Sequence, residues 1–491
     1  MNKDKQTLEI SFYETQEYII EEIYDQLRVP EKQFCIFSKQ DKSFTYKDSV
    51  ELESGKILIP IQSTALIDKG VVLLPSEPME YGTEEALISE IKQFIHIYLD
   101  IHSFYENLAA YYILMTWRYD ELSVVPYLRA LGDFGSGKTR LIQTIGSLCY
   151  KPMFLAGATS DAYLFRVIEM FGGTLVINEL ERVNSDLQSQ ITIILNNGYE
   201  KGMPVGRVEG DTKREPRTFD VFCPKVISTR QKFKDLALES RIISIPMRQT
   251  MRTDIPSFID DNFWQKAKDL RNKLLMYRFK HFGEFIWQIK EHEEKRQKLQ
   301  ILEPRLRQTL LPVFNIISNQ KLEEEFITFA KDFQQQMVTD RGTELAGLVF
   351  EKLYALLEGN DHKVTIKQVA DAVNSGIEDK YKYSAQKIGK TIRNDLGFKT
   401  GKSTGGMYYV VYNEKQVQYL TSRYGIPSPL TPQSQLLDSD SKEDLEDIVD
   451  LQVKITNPCS LCGSTKFYKT TFNTILCSVC HPPITEQVVV L

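Results

Sequence analysis

The chain has 491 residues, 42% of them hydrophobic and 26% charged, with a formal net charge of −6. That composition fits a soluble globular chain of roughly three domains and excludes a small disulfide-dependent scaffold. No apolar run approaches the roughly 20 residues of a membrane span, and the N-terminal MNKDKQTLEISF lacks the apolar core of an export signal, so a cytoplasmic location without a membrane partner is expected.

Residues 1–80 read as a small α/β domain of unassigned role, with a helical stretch from Thr15 to Leu27 and β-like runs at Gln33 to Ser38, Lys56 to Ile61 and Gly70 to Leu74. Two helices follow, Thr83 to Ile101 and Ser103 to Arg118. From the strand-like Tyr127 to Leu131 up to about Met247, β-type runs alternate with helical patterns, which predicts a parallel sheet with crossover helices. A mostly helical stretch, 254–335, closes an α/β core spanning 83–335. Residues 336–426 carry helices and then a Gly-rich β segment. Residues 427–452 form an acidic, polar linker, and 453–491 form a cysteine module. Cys35, Cys149 and Cys223 stand alone in apolar surroundings and read as small core residues.

After the Tyr127 strand comes GDFGSGKTR. Gly132, Asp133, Phe134, Gly135, Ser136, Gly137, Lys138 and Thr139 fit G-x-x-x-x-G-K-[ST], the phosphate-binding loop. Glycines let the backbone amides face the phosphates of ATP, Lys138 reaches the outer ones, and the Thr139 hydroxyl suits Mg²⁺. Arg140 opens a helix whose positive end adds to the site.

Thr174 to Ile177 is an apolar strand expected beside this loop. It ends in Asn178 and Glu179. Glu179 is placed to orient and deprotonate the attacking water. Asn178 stands where a carboxylate would hold Mg²⁺ more firmly. The strand Pro224 to Ile227 ends in Ser228 and Thr229, either of which suits sensing of the γ-phosphate. In LALESRIISIPM, Arg241 precedes a strand at a subunit edge and suits an arginine finger in trans; a surface ion pair with Glu239 is the alternative. In EPRLRQ, Arg305 or Arg307 is a candidate lid arginine.

GDFGSGKTR, ATSDAYLFR, GGTLVINE, NNGYEKG, FDVFCPKVIST and LESRIISIPM together resemble the AAA+ core of replication helicases carried by bacterial mobile elements, relatives of the minichromosome maintenance helicases. The resemblance covers roughly residues 83–424. It implies a ring, a homo-hexamer encircling DNA, working among other replication proteins. Asn178 departs from the family pattern and implies slower hydrolysis.

GYEKGMPVGRVEGDTKREPRTFDV reads as a hairpin around Gly210-Asp211, with Lys201, Arg207, Lys213, Arg214 and Arg217 as a candidate phosphate-backbone grip. A solvated surface hairpin is the bland alternative. IKQVADAVN and SAQKIGKTIRNDLGF read as two helices of a winged helix. Ala385, Ile388, Ile392 and Leu396 fall on one face of the second, with Lys387, Lys390 and Arg393 opposite. Lys399, Lys402 and GGMYYVVYN supply a basic wing. Lys380 to Lys402 holds seven Lys/Arg against one acidic residue, Asp395, so this acidic chain does carry a local basic patch.

Cys459-x₂-Cys462 and Cys477-x₂-Cys480, fourteen residues apart, have the spacing of a zinc ribbon holding a structural Zn²⁺. A haem-attachment reading of Cys477-Ser-Val-Cys480-His481 leaves the other pair unexplained. The chain therefore reads as an ATP-driven DNA helicase or translocase. An ATP-switched DNA-binding initiator or regulator that never translocates is the alternative.

Overall fold

The computed structural model describes residues 6–28, 31–62, 65–155, 161–180, 185–209, 215–283, 289–359, 364–403 and 406–426, with three short strands near the C-terminus. The chain divides into two units, Met1–Ile426 and Pro427–Leu491.

The first unit opens with β1 (Thr7–Glu9), β2 (Phe12–Glu14), β3 (Tyr18–Tyr24), β4 (Lys32–Ser38), β5 (Phe44–Lys47), β6 (Val50–Glu51), β7 (Ile57–Ile59) and the short α1 (Ala65–Asp68). Strands β2-β3-β4-β5 form an antiparallel sheet, and β1-β7-β6 form a second, mixed sheet, with β1 parallel and β6 antiparallel to β7. The helix expected over Thr15 to Leu27 is therefore strand β3. Its two faces are both buried: Ile19 and Ile23 join the main core, and Ile20 joins a smaller core with Phe34, Ile36 and Leu58. Glu21 lies on this strand between Ile20 and Glu22. It is buried, with its carboxylate 2.6 Å from Arg278 Nε and 2.8 Å from Lys151 Nζ. Partners more than a hundred positions away neutralise it, and no local pattern reveals them. The N-terminal strands share their main core with the α/β region, through Cys35, Phe37, Val72 and Leu74.

Next come α2 (Glu84–Tyr98), α3 (Ser103–Thr116), β8 (Tyr127–Leu131), α4 (Lys138–Gly146), β9 (Met153–Leu155), α5 (Asp161–Phe171), β10 (Leu175–Ile177) and α6 (Ser185–Asn197). A hairpin, β11 (Val205–Glu209) with β12 (Glu215–Phe219), leads to β13 (Lys225–Thr229), α7 (Leu236–Glu239) and β14 (Ile242–Pro246). Five strands make one parallel sheet in the order β14-β8-β13-β10-β9, a mixed α/β arrangement with crossover helices. The end of β10 reaches the loop that follows β8, as expected, with β13 lying between the two strands and paired with β8 from Tyr127↔Lys225 to Leu131↔Thr229. The loop after β8 thus shares the carboxyl edge of the sheet with the ends of β13 and β10, where α/β folds bind ligands.

Helices α8 (Asp261–His281), α9 (Ile289–Lys298), α10 (Pro304–Phe314) and α11 (Gln320–Thr343) follow. Beyond them α12 (Leu345–Gly359), β15 (Val364–Thr365), α13 (Ile366–Val373), α14 (Ala385–Asn394), β16 (Thr400–Lys402), β17 (Tyr408–Val410) and α15 (Glu414–Tyr424) enclose a separate core that includes Val349, Phe350, Leu353, Ile388, Ile392 and Leu396. Thr365 and Gln368 close the start of α13 as a capping box. Among the described residues, no helix is long and apolar enough to cross a membrane.

The second unit contributes β18 (Phe467–Lys469), β19 (Ile475–Cys477) and β20 (Val489–Val490), with β18 antiparallel to both others. Cys459, Cys462 and Cys480 lie outside the described residues, as does the linker 427–452, and only the backbone of Cys477 is described.

Candidate nucleotide site and nucleic-acid surfaces

The loop from Gly132 to Gly137 bends on glycines with positive φ, +75° at Gly135 and +86° at Gly137. Gly132 has a different reason: a Cβ there would run into the Met247 carbonyl oxygen. Gly137 caps α4 without a side chain, so the first amides of the helix keep their positive end for an anion. Lys138 folds over the loop, its Nζ donating to Gly132 O and Asp133 O at 2.6 Å each. Ser136 Oγ donates to Asp133 O at 2.8 Å. Phe134 is exposed. Arg140 donates to the carbonyls of Pro256 and Ser257 at 3.0 and 2.9 Å, which ties the segment before α8 to the start of α4.

At the end of β10, Asn178 Nδ2 donates to Thr139 Oγ1 at 3.3 Å. Asn178 Oδ1 accepts from Ser228 Oγ at 2.9 Å, and Ser228 Oγ accepts from the Glu179 amide at 2.8 Å. Glu179 has φ +53°, a left-handed conformation that is unusual for a side-chain-bearing residue. Thr229 differs from Ser228: its Oγ1 is buried with no hydrogen-bond partner, although its carbonyl receives the Gly132 amide at 3.2 Å. The sequence held no signal for this division of labour, since both hydroxyls end the same strand.

Lys138, Thr139, Asn178, Glu179, Ser228 and Thr229 thus meet at the carboxyl edge of the sheet. Arg241 and Arg305 do not. Arg241 precedes β14, and its carbonyl receives the Tyr127 amide at the opposite, amino end of β8. Arg241 also donates to Asn196 O and Oδ1 at 3.2 and 2.6 Å. Burial, and then the charge of Arg305, hold its pKa below the ordinary arginine value. The ion pair imagined between Arg241 and Glu239 is absent among the described contacts; Glu239 instead pairs with Arg129. Arg305, one of the two candidate lid arginines, lies in α10 beside Arg241, across the Tyr199 ring.

The hairpin β11–β12 is docked at its base. Arg207 lies 4.6 Å from the Phe165 ring and donates to Gln190 at 3.3 Å. Arg217 pairs with Glu169 at 2.7 Å, and Lys201 donates to Asp120 O at 2.9 Å. Lys213 and Arg214, between the two strands, lie outside the described residues. On α14, Ile388 and Ile392 are buried, while Lys387, Lys390 and Arg393 are exposed. Ala385 was expected on the buried face but is exposed, because α14 begins there. Lys399 and Lys402 are exposed, and Tyr381 and Tyr408 are exposed among these cations. Among the described residues, no group of three or more His, Cys, Asp or Glu side chains forms a metal site.

No family model matches the chain, and no curated protein matches it. Among solved structures it is similar to the active helicase Cch of SCCmec type IV, at 12% identity over 84% of this chain and 95% of that one, with a TM-score of 0.38. It is also similar to the apo C-terminal region of NrS-1, at 10% identity over 80% of this chain and 95% of that one, with a TM-score of 0.35. The JCV helicase is similar at 13% identity over 57% of this chain and 66% of that one, with a TM-score of 0.22.

Proposed function

We propose that this chain is an ATP-dependent DNA helicase or translocase, an AAA+ core that works as a homo-hexameric ring in replication of a mobile element. The observation that carries this reading is the meeting of a glycine-lysine loop with Thr139, Asn178 and Glu179 where three neighbouring strands end. Lys138 would leave the loop carbonyls for the outer phosphates, and the uncapped start of α4 would face them. Thr139 and Asn178 would hold Mg²⁺, which supplies positive charge at the phosphates; their two side chains already touch. Glu179 would orient the attacking water, and Arg241 would serve a neighbouring copy.

Residues 336–426 are the winged-helix part of this proposal. A helix with a buried isoleucine face and exposed Lys387, Lys390 and Arg393, next to a Gly-turned strand pair, suits DNA phosphates and base edges. The zinc ribbon at 453–491 rests on the cysteine spacing, with β18 between the two pairs and β19 ending on Cys477.

A second reading is an ATP-switched initiator or regulator. Asn178 favours it, since a neutral amide next to Thr139 suits slow hydrolysis. Strand displacement on a forked DNA separates the two readings. A motor displaces the strand with ATP turnover; a switch binds DNA in a nucleotide-dependent way and displaces nothing.

A further inference from the structure

The basic wing, β16 with β17, ends in exposed rings. Its strands pair at Thr400↔Val410, Gly401↔Tyr409 and Lys402↔Tyr408. Val410 is 1% exposed and anchors the hairpin in its core, whereas Tyr408 is 52% and Met407 57% exposed. The hairpin therefore leaves the core at Val410 and carries its last two pairs, about 7 Å of strand, into solvent. Its end is closed. The Ser403 amide donates to Met407 O at 2.9 Å, and the Met407 amide donates to Ser403 Oγ at 3.2 Å.

Both faces of this hairpin end are aromatic. Neighbouring residues of a strand point to opposite faces, so Tyr408 and Tyr409 flank it. Tyr409 lies over Gly401, where a Cβ would come within 2.4 Å of the ring, so a side chain there would displace it. Lys402 stands opposite Tyr408, its Nζ 5.8 Å from the ring centroid. Tyr408 and Met407 take no part in the hydrophobic core of the domain. The surroundings are cationic: Lys380 to Lys402 holds seven Lys/Arg against one acidic residue, Asp395.

Exposed rings and a thioether gain nothing from the phosphates of a duplex, whose bases are already stacked on one another. Unpaired bases offer free π faces, and an aromatic side chain stacks on any of them. A lysine for the phosphate and a ring for the base beside it is an arrangement that suits a single strand.

We infer that the wing binds unpaired DNA bases by stacking, through Tyr408 with Lys402, Met407 and Tyr409 around it, so that the winged domain reads the junction where a duplex opens into single strands. This inference rests on the DNA-binding reading of the domain above and adds the form of DNA that it takes.

The test uses the full chain without nucleotide and measures affinity by fluorescence anisotropy. The DNAs are a blunt duplex, the same duplex opened into a fork, and that fork with abasic sugars at the first unpaired positions of one arm, each arm in turn. Tyr408→Leu keeps an apolar side chain and removes the π face; Tyr408→Phe keeps the π face. Wild type and Tyr408→Phe bind the intact fork about 10-fold more tightly than one of the abasic forks. Tyr408→Leu loses about 10-fold on the intact fork and nothing on the blunt duplex. It also no longer distinguishes the intact fork from the abasic one, and this non-additivity marks ring and base as partners. Equal losses on fork and duplex overturn the inference, assigning the ring to the groove of intact DNA. Additive losses overturn it too, as does a Tyr408→Phe protein as weak as Tyr408→Leu. A protein with Lys387, Lys390 and Arg393 all replaced by alanine that binds every one of these DNAs like wild type instead removes the DNA reading beneath it.

Discussion

Ser228 and Asn178 are joined by a 2.9 Å hydrogen bond across two neighbouring strands, the serine donating to the amide oxygen. The bond leaves the Asn178 amino group facing Thr139. A donor therefore points where a metal-bound water would need an acceptor.

Asn178→Asp places a carboxylate at that point. A charged acceptor is stronger than an amide by on the order of 1 kcal/mol. ATP turnover should rise about 5- to 10-fold, and the Mg²⁺ concentration for half-maximal turnover should fall. Both are read from a magnesium titration of steady-state hydrolysis. Unchanged magnesium dependence would place the metal elsewhere.

Ser228 and Thr229 should part company on substitution. Ser228→Ala removes the hydroxyl that joins Asn178 to the Glu179 amide, so turnover falls and stability drops by about 1–3 kcal/mol. Thr229→Val removes a buried hydroxyl that has no partner, so the nucleotide-free protein gains about 1 kcal/mol while hydrolysis slows. Thermal melts alongside turnover check both. A Thr229→Val protein that melts lower would mean that its hydroxyl is already bonded.

The phosphate loop was legible because its chemistry is local: eight consecutive residues between a strand and a helix. Strand β8 occupies Tyr127–Leu131, as its apolar run indicated. The order of the sheet was not legible, since placing β13 between β8 and β10 depends on pairings between segments far apart in the chain, such as Tyr127 with Lys225 and Leu175 with Lys225. Strand β3 was hidden for a related reason: Glu21 mimics a solvated helix position while Arg278 and Lys151 bury it. Arg305 was legible as a charge on a helix, whereas its neighbours Tyr199 and Arg241 come from distant segments and were not. Met247 drew no attention as the neighbour that makes Gly132 obligatory, because nothing in an apolar strand end signals a backbone contact.

Glu22 should make stability fall with rising pH. Its carboxylate is buried, and burial pushes its pKa up from 4.5 to about 7, against the opposing charge of Lys151 and hydrogen bonding from Ser11. The folded state therefore holds a proton that the unfolded chain releases between about pH 4.5 and 7. Stability from this group is lost as pH rises across that window, by on the order of 3 kcal/mol in all. Glu22→Gln should flatten the pH dependence of urea unfolding and stabilise the protein most at pH 8. Equal gains at pH 5 and pH 8 would contradict the protonated carboxyl.

The two basic surfaces should separate. Replacing Lys213 and Arg214 by alanine should abolish strand displacement and lower the salt slope of DNA binding by about 2, with site binding kept. Replacing Lys387, Lys390 and Arg393 should weaken DNA binding while leaving basal hydrolysis intact, because α14 belongs to a separate core. Fluorescence anisotropy across a salt series reads both. Identical behaviour of the two variants would merge the surfaces into one.

The most direct measurement is ATP hydrolysis with Mg²⁺, with and without DNA, by the wild-type chain and by Lys138→Ala side by side. The expected result is turnover stimulated by DNA in the wild type and none above background in the variant, which still binds DNA. Turnover in the variant equal to that of the wild type, or no nucleotide binding by either, would contradict a phosphate site at Gly132 to Thr139.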